Sequence, residues 1–114
     1  MKLAAVMLLA VVALHECGPK QYSDFTVEHP ARLAGQLFDP QGATVPNLTL
    51  VLRCGEAKAQ QVKTDLEGKY DFGVLQPGTC KIGTPSKMWL PPKVKCDDRG
   101  CTLENLRIGM MVMT

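Results

Sequence analysis

The sequence predicts an all-β protein: a seven-stranded antiparallel β-sandwich over residues 31–109, preceded by a cleaved signal segment. Three observations lead there. From Ala31 onward, short runs alternate apolar and polar residues, the period of a half-buried strand. Turn residues punctuate these runs: Asp39-Pro40-Gln41-Gly42, Gly55, Asp65-Leu66-Glu67-Gly68, Pro77-Gly78 and Asp97-Asp98-Arg99-Gly100. After residue 17 no stretch carries the apolar spacing of a helix.

Residues 1–16 read as a signal peptide. Lys2 supplies the positive start, and Leu3 to Leu14 is an unbroken apolar run of twelve residues. A helix needs about 20 such residues to span a bilayer, so twelve fits the apolar region of a secretory signal instead. Two ends are consistent with the residues. Val11-Val12-Ala13 suits a signal peptidase. Leu14-His15-Glu16-Cys17 resembles a bacterial lipobox, which would make Cys17 a lipidation site, although Glu16 stands where a small residue is usual. The protein has five cysteines. Acylation of Cys17, or cleavage beyond it, leaves Cys54, Cys80, Cys96 and Cys101, an even set suited to two disulfides. Cleavage after Ala13 leaves an odd thiol in an oxidising compartment.

Residues 17–30 are polar and mixed, with Tyr22, Phe25 and Val27 scattered among them, and read as a tether or an N-terminal extension lying on the domain. The first strand is Ala31 to Phe38. Asp39 opens the turn after it, with Pro40 in the second position and Gly42 in the last. In the second strand Leu48, Leu50 and Leu52 alternate with Thr49, Val51 and Arg53, and Cys54 keeps the inward parity. Ala57 to Thr64 is a weaker third strand at an edge, where Lys58 and Lys63 discourage edge-to-edge pairing. Lys69 to Gly73 is the fourth, with Tyr70 and Phe72 inward, and Thr79 to Gly83 the fifth. Thr84 to Lys93 holds three prolines and the only tryptophan, and reads as a loop or an extended crossing between sheets. The sixth strand begins at Val94-Lys95-Cys96, and the seventh is Cys101 to Ile108. Residues 110–114 extend it or form a tail.

Several of these motifs occur together in one order. Gly35-Gln36-Leu37-Phe38-Asp39-Pro40-Gln41-Gly42 is followed by Val45-Pro46 and the alternating strand Leu48 to Leu52. Then come Thr64-Asp65-Leu66-Glu67-Gly68-Lys69-Tyr70-Asp71-Phe72 and Leu75-Gln76-Pro77-Gly78-Thr79-Cys80. Over residues 34 to 83 the chain resembles a carboxypeptidase regulatory-like domain. That resemblance implies a transthyretin-like, Greek-key β-sandwich of the carbohydrate-binding-like class, found in secreted and periplasmic bacterial proteins and mostly accessory in role. Cys80 stands where that family usually has Tyr. A bridge to Cys54 would fill part of the space an aromatic leaves, and Cys96 with Cys101 would make the second bridge. This pairing is preferred, with the other two connectivities left open by the sequence.

Composition and motifs bound the chemistry. Thirteen Lys and Arg against eleven Asp and Glu give a net charge of +2, with no clustered basic face for nucleic acid. Cys96 and Cys101 approach zinc-ligand spacing, and Cys54 and Cys80 would complete a set of four. Thiols carried past a signal sequence oxidise, which favours disulfides. Met110, Met111 and Met113 offer thioethers to Cu(I), but a strand end accounts for them more simply. No cofactor is expected. His29 is the only histidine once the signal is removed, and Asp97-Asp98 are adjacent carboxylates on a turn, so no catalytic set is evident. The expectation is a non-catalytic domain with a structural or protein-interaction role in the envelope or secreted space. Its partner would be an envelope or extracellular protein, or a glycan. The best contact candidate is Trp89, flanked by Met88 and Leu90, with Tyr22 and Phe25 as candidate neighbours. The opposing reading is that Trp89 caps an open end of the sandwich.

Overall fold

The computed structural model describes residues 21–109. The signal segment 1–16, Cys17 and the Met110, Met111, Met113 cluster lie outside the described residues. Among the described residues there is no helix. Eight strands follow one another: β1 (Ser23–Val27), β2 (Ala31–Gln36), β3 (Thr49–Cys54), β4 (Gln60–Lys63), β5 (Lys69–Leu75), β6 (Gly78–Gly83), β7 (Val94–Asp97) and β8 (Gly100–Leu103). They form two four-stranded sheets, ordered β1-β6-β3-β4 and β5-β2-β8-β7. The sheets enclose one core, in which Leu33, Leu37, Leu50, Leu52, Ile82 and Leu106 are almost wholly buried. Each such side chain stabilises the fold by about 1.5–3 kcal/mol.

Two expectations are corrected. The count is eight strands rather than seven, because Ser23–Val27 pairs antiparallel with β6, Phe25 lying opposite Cys80. Phe25 and Val27 turn toward the core while Asp24 and Thr26 stay exposed, so the stretch read as tether or extension has a strand's period of two. The sandwich is also not wholly antiparallel. β2 and β8 run parallel, with Leu33 opposite Cys101. The segment 84–93 crosses from the first sheet to the second, and the β7–β8 hairpin then sets β8 beside β2 in the same direction.

Strand ends differ as well: β2 stops at Gln36 rather than Phe38, and the expected strand Ala57 to Thr64 is confined to Gln60–Lys63. β5 continues beyond Gly73 to Leu75 through a bulge. Arg32 pairs with Val74 and Ala34 with Asp71, leaving one extra residue on β5. Gly73 takes φ 80° there, and Asp71 Oδ1 accepts from its N–H at 2.9 Å. The bulge shifts parity, so Tyr70, Phe72 and Leu75 are all buried. β8 stops at Leu103, five residues before the expected end. Beyond it the chain peels toward the end of the sandwich, where Leu106 N–H donates to Phe38 O at 2.8 Å.

Three Asp-x-x-Gly turns join the strands. At Asp39 and Asp65 the pattern is duplicated: Oδ1 accepts from the N–H groups two and four residues on, at 2.8–2.9 Å. In both, the glycine N–H donates to the aspartate carbonyl at 3.0 Å. At Asp97, Oδ1 accepts from Arg99 and Gly100 N–H. Tyr70 crosses the second sheet. It pairs with Gly35 on β2, whose missing side chain admits the phenol, and its hydroxyl accepts from Leu103 N–H on β8 at 2.8 Å. Every buried side-chain N or O among the described residues has a hydrogen-bond partner.

Both disulfides are cross-strand. Cys54–Cys80 ties β3 to β6, and Cys96–Cys101 ties β7 to β8, each with a Cα–Cα distance of 4.0 Å. Loop-closure entropy assigns roughly 3–4 kcal/mol to the first, with a sequence separation of 26, and about 2 kcal/mol to the second, with a separation of 5. Disulfides are the mark of an oxidising compartment. No helix among the described residues is long and apolar enough to cross a membrane.

Candidate functional site

Trp89 sits in the crossing segment and makes a short antiparallel bridge with Ile108. Leu90 N–H donates to Arg107 O, and Gly109 N–H to Met88 O, both at 2.9 Å. The ladder exists because the chain beyond β8 returns alongside the proline-rich crossing, whose Pro91 and Pro92 cannot donate to it. Trp89 is half-buried and packs against the core. Leu90 is half-buried, whereas Met88 is 56% and Ile108 53% exposed. Thus Trp89 does pack on the sandwich, Ile108 lies opposite it on the same face of the ladder, and Met88, its chain neighbour, is exposed on the other face. Phe25 packs on the core from β1. The sequence marks Ile108 only as the end of the seventh strand and carries no local sign that it faces Trp89.

A concavity of about 810 Å³ lies between β1 with its following turn and the β7–β8 hairpin. Its walls include Asp24, His29, Arg32, Asp98, Arg99 and both Cys96 and Cys101. His29 is exposed and, among the described residues, forms no ion pair with a carboxylate. Asp97 is engaged in its own turn and Asp98 is exposed. Among the described residues no three His, Cys, Asp or Glu side chains converge as metal ligands. Cys54, Cys80, Cys96 and Cys101 pair off as disulfides.

The groups whose titration shifts belong to the framework. Asp71 is held below the usual carboxylate range first by hydrogen bonds from Arg32, at 3.2 and 2.6 Å, then by Gly73 N–H. Asp65 is lowered by the backbone N–H groups of Lys69 and Glu67. Burial pushes the Tyr70 phenol up, against the hydrogen bond from Leu103. The signs fix a pH profile. A depressed carboxyl contributes stability that is full above its ordinary value of 3.8 and lost as pH falls below it. The raised phenol contributes stability that is full below 10.0 and lost as pH rises through its folded value. Thermal midpoints measured across pH are therefore expected to be flat near neutrality and to fall on the acid side below about pH 4. Asp65→Asn and Asp71→Asn should each flatten the acid limb. Both aspartates are solvent-exposed, so the limb is shallow.

The chain matches no protein-family model, no curated protein and no solved structure.

Proposed function

We propose that this chain is a non-catalytic accessory domain of the transthyretin-like, carboxypeptidase regulatory-like type. It works in the secreted space or the cell envelope and acts by protein contact. Residues 1–16 would direct its export, and a lipid on Cys17 would hold it to a bacterial membrane. The motif positions support the fold reading: the Asp39 and Asp65 turns, Gly35 under Tyr70 and the β5–β6 turn at Pro77-Gly78 each join or brace strands. The two disulfides support an extracytoplasmic site of action. The hydrogen-bonded aspartates are occupied with turns and a surface ion pair rather than gathered around a reaction centre.

The observation that carries the contact reading is the surface around Trp89. Two large apolar side chains, Met88 and Ile108, are more than half exposed, on segments clamped together by backbone hydrogen bonds. Ile108 stands directly opposite the half-buried Trp89 in the bridge, and an exposed aliphatic side chain beside a partly buried aromatic is the kind of anchor a protein partner covers. The carbohydrate reading has less to stand on, because a half-buried Trp89 offers a sugar little of its ring face.

A photo-crosslinking residue at position 108, with position 63 on β4 as control, tests the reading in the full chain within the cells that make it. A discrete protein adduct at 108 and none at 63 is expected. Blank lanes at both positions would overturn it, and glycan-array binding abolished by Trp89→Ala would replace it with the carbohydrate reading.

A further inference from the structure

We infer that the Cys96–Cys101 disulfide is a site of thiol–disulfide exchange with an external dithiol, whereas Cys54–Cys80 is a fixed brace. Each bridge has one buried cysteine, Cys80 or Cys101, and the two differ in how far the other is exposed. Cys80 is wholly buried in the middle of its sheet, between β1 and β3, and Cys54 is half-buried. Cys96 is exposed on β7, the outermost strand of its sheet, and opens onto the groove between β1 and the β7–β8 hairpin. Exchange requires a thiolate to reach one sulfur, so access separates the two bridges. Chemistry points the same way. Arg99, which among the described residues forms no ion pair, lines the depression beside Cys101; Arg32 lines it too but is paired with Asp71, and Asp97 accepts hydrogen bonds from the Arg99 and Gly100 N–H groups. The Arg99 guanidinium favours the approach of a thiolate and the charge left behind on sulfur.

The step balances with a dithiol as reductant. One thiolate of the dithiol attacks Cys96 Sγ, the bond to Cys101 Sγ breaks, and the electron pair leaves on Cys101, which takes a proton. The second thiolate of the dithiol then attacks its own sulfur in the mixed disulfide and releases Cys96 as a thiolate, which is protonated in turn. The protein gains two electrons and two protons, and the dithiol becomes a disulfide.

Opening this bridge leaves the fold in place. Of β7, only Val94 is even half-buried. The hairpin keeps its register through the Asp97 turn, and β8 keeps its pairing with β2 at Cys101. Cys101 as a thiol remains a small buried apolar group. The two sulfurs therefore stay opposite one another, ready to reoxidise.

The oxidised full chain, equilibrated with graded ratios of reduced to oxidised dithiothreitol, quenched by alkylation and mapped by mass spectrometry, tests this. Cys96 and Cys101 should become half-alkylated at a ratio at least about tenfold lower than Cys54 and Cys80. Trp89 fluorescence and the β-sheet circular dichroism should be unchanged across that first step. Joint opening, the reverse order, or unfolding that coincides with the first step would each overturn the inference. None of these outcomes bears on the Met88 and Ile108 surface.

Discussion

Replacing Thr64 with valine should destabilise the domain by about 2–4 kcal/mol, although valine fills the same space. Thr64 is 1% exposed. Its hydroxyl donates to Val45 O at 2.7 Å and accepts from Leu48 N–H at 2.8 Å. One oxygen thus satisfies two backbone groups in the turn leading into β3, and valine would orphan both. Each buried group left without a partner costs about 1–3 kcal/mol. Thr64→Ser keeps the hydroxyl and should lose only about 1 kcal/mol for the methyl group. Urea unfolding of the oxidised protein measures both. A valine variant as stable as the serine variant would show that the hydroxyl is not what holds Val45 and Leu48.

Gly68→Ala should cost about 3–5 kcal/mol, from backbone strain and collision together. Gly68 closes the Asp65 turn with φ 79°, where an L side chain is strained by roughly 1–2 kcal/mol. An added Cβ would also stand 3.0 Å from Leu37 O and 3.1 Å from Val45 N, the two ends of a hydrogen bond. Neither is the end of a flexible side chain. The duplicated turn supplies the comparison. Gly42 has φ 88° and nothing within 4 Å of its added Cβ, so Gly42→Ala should cost about 1–2 kcal/mol. Denaturant midpoints of the two variants, measured side by side, separate the strain they share from the collision that only Gly68 meets.

These two residues show why much of the fold was legible. Thr64, Asp65 and Gly68 act over a handful of positions, and local chemistry leaves a local signature. The alternating strands, the turns and the crossing from Thr84 to Lys93 were read the same way. The disulfide pairing could be preferred because Cys54 and Cys80 share an inward parity, and they do lie opposite one another. What escaped depends on partners distant in sequence. β1 is short and its residues look like a tether until β6 stands beside it. The bulge at Gly73 inverts parity within β5, so a period-two reading ends there. The position of Ile108 opposite Trp89 depends on how the chain leaves β8.

The parallel pairing of β2 with β8 carries a consequence for how the protein is made. β2 is among the first of the described strands to emerge and β8 is the last of them, so the centre of one sheet stays open until nearly the whole described chain is present. Leu33, fully buried in the finished molecule, has no neighbour on its β8 side before then. Contacts so far apart in sequence form late, because loop closure must precede them. Synthesis of this domain therefore proceeds with its central edge uncovered, and the fold seals only when the Gly100–Leu103 segment has been delivered. A chain cut short before that segment would still contain every strand of the first sheet and both cysteines of the Cys54–Cys80 bridge, yet leave β2 exposed to whatever strand it next meets.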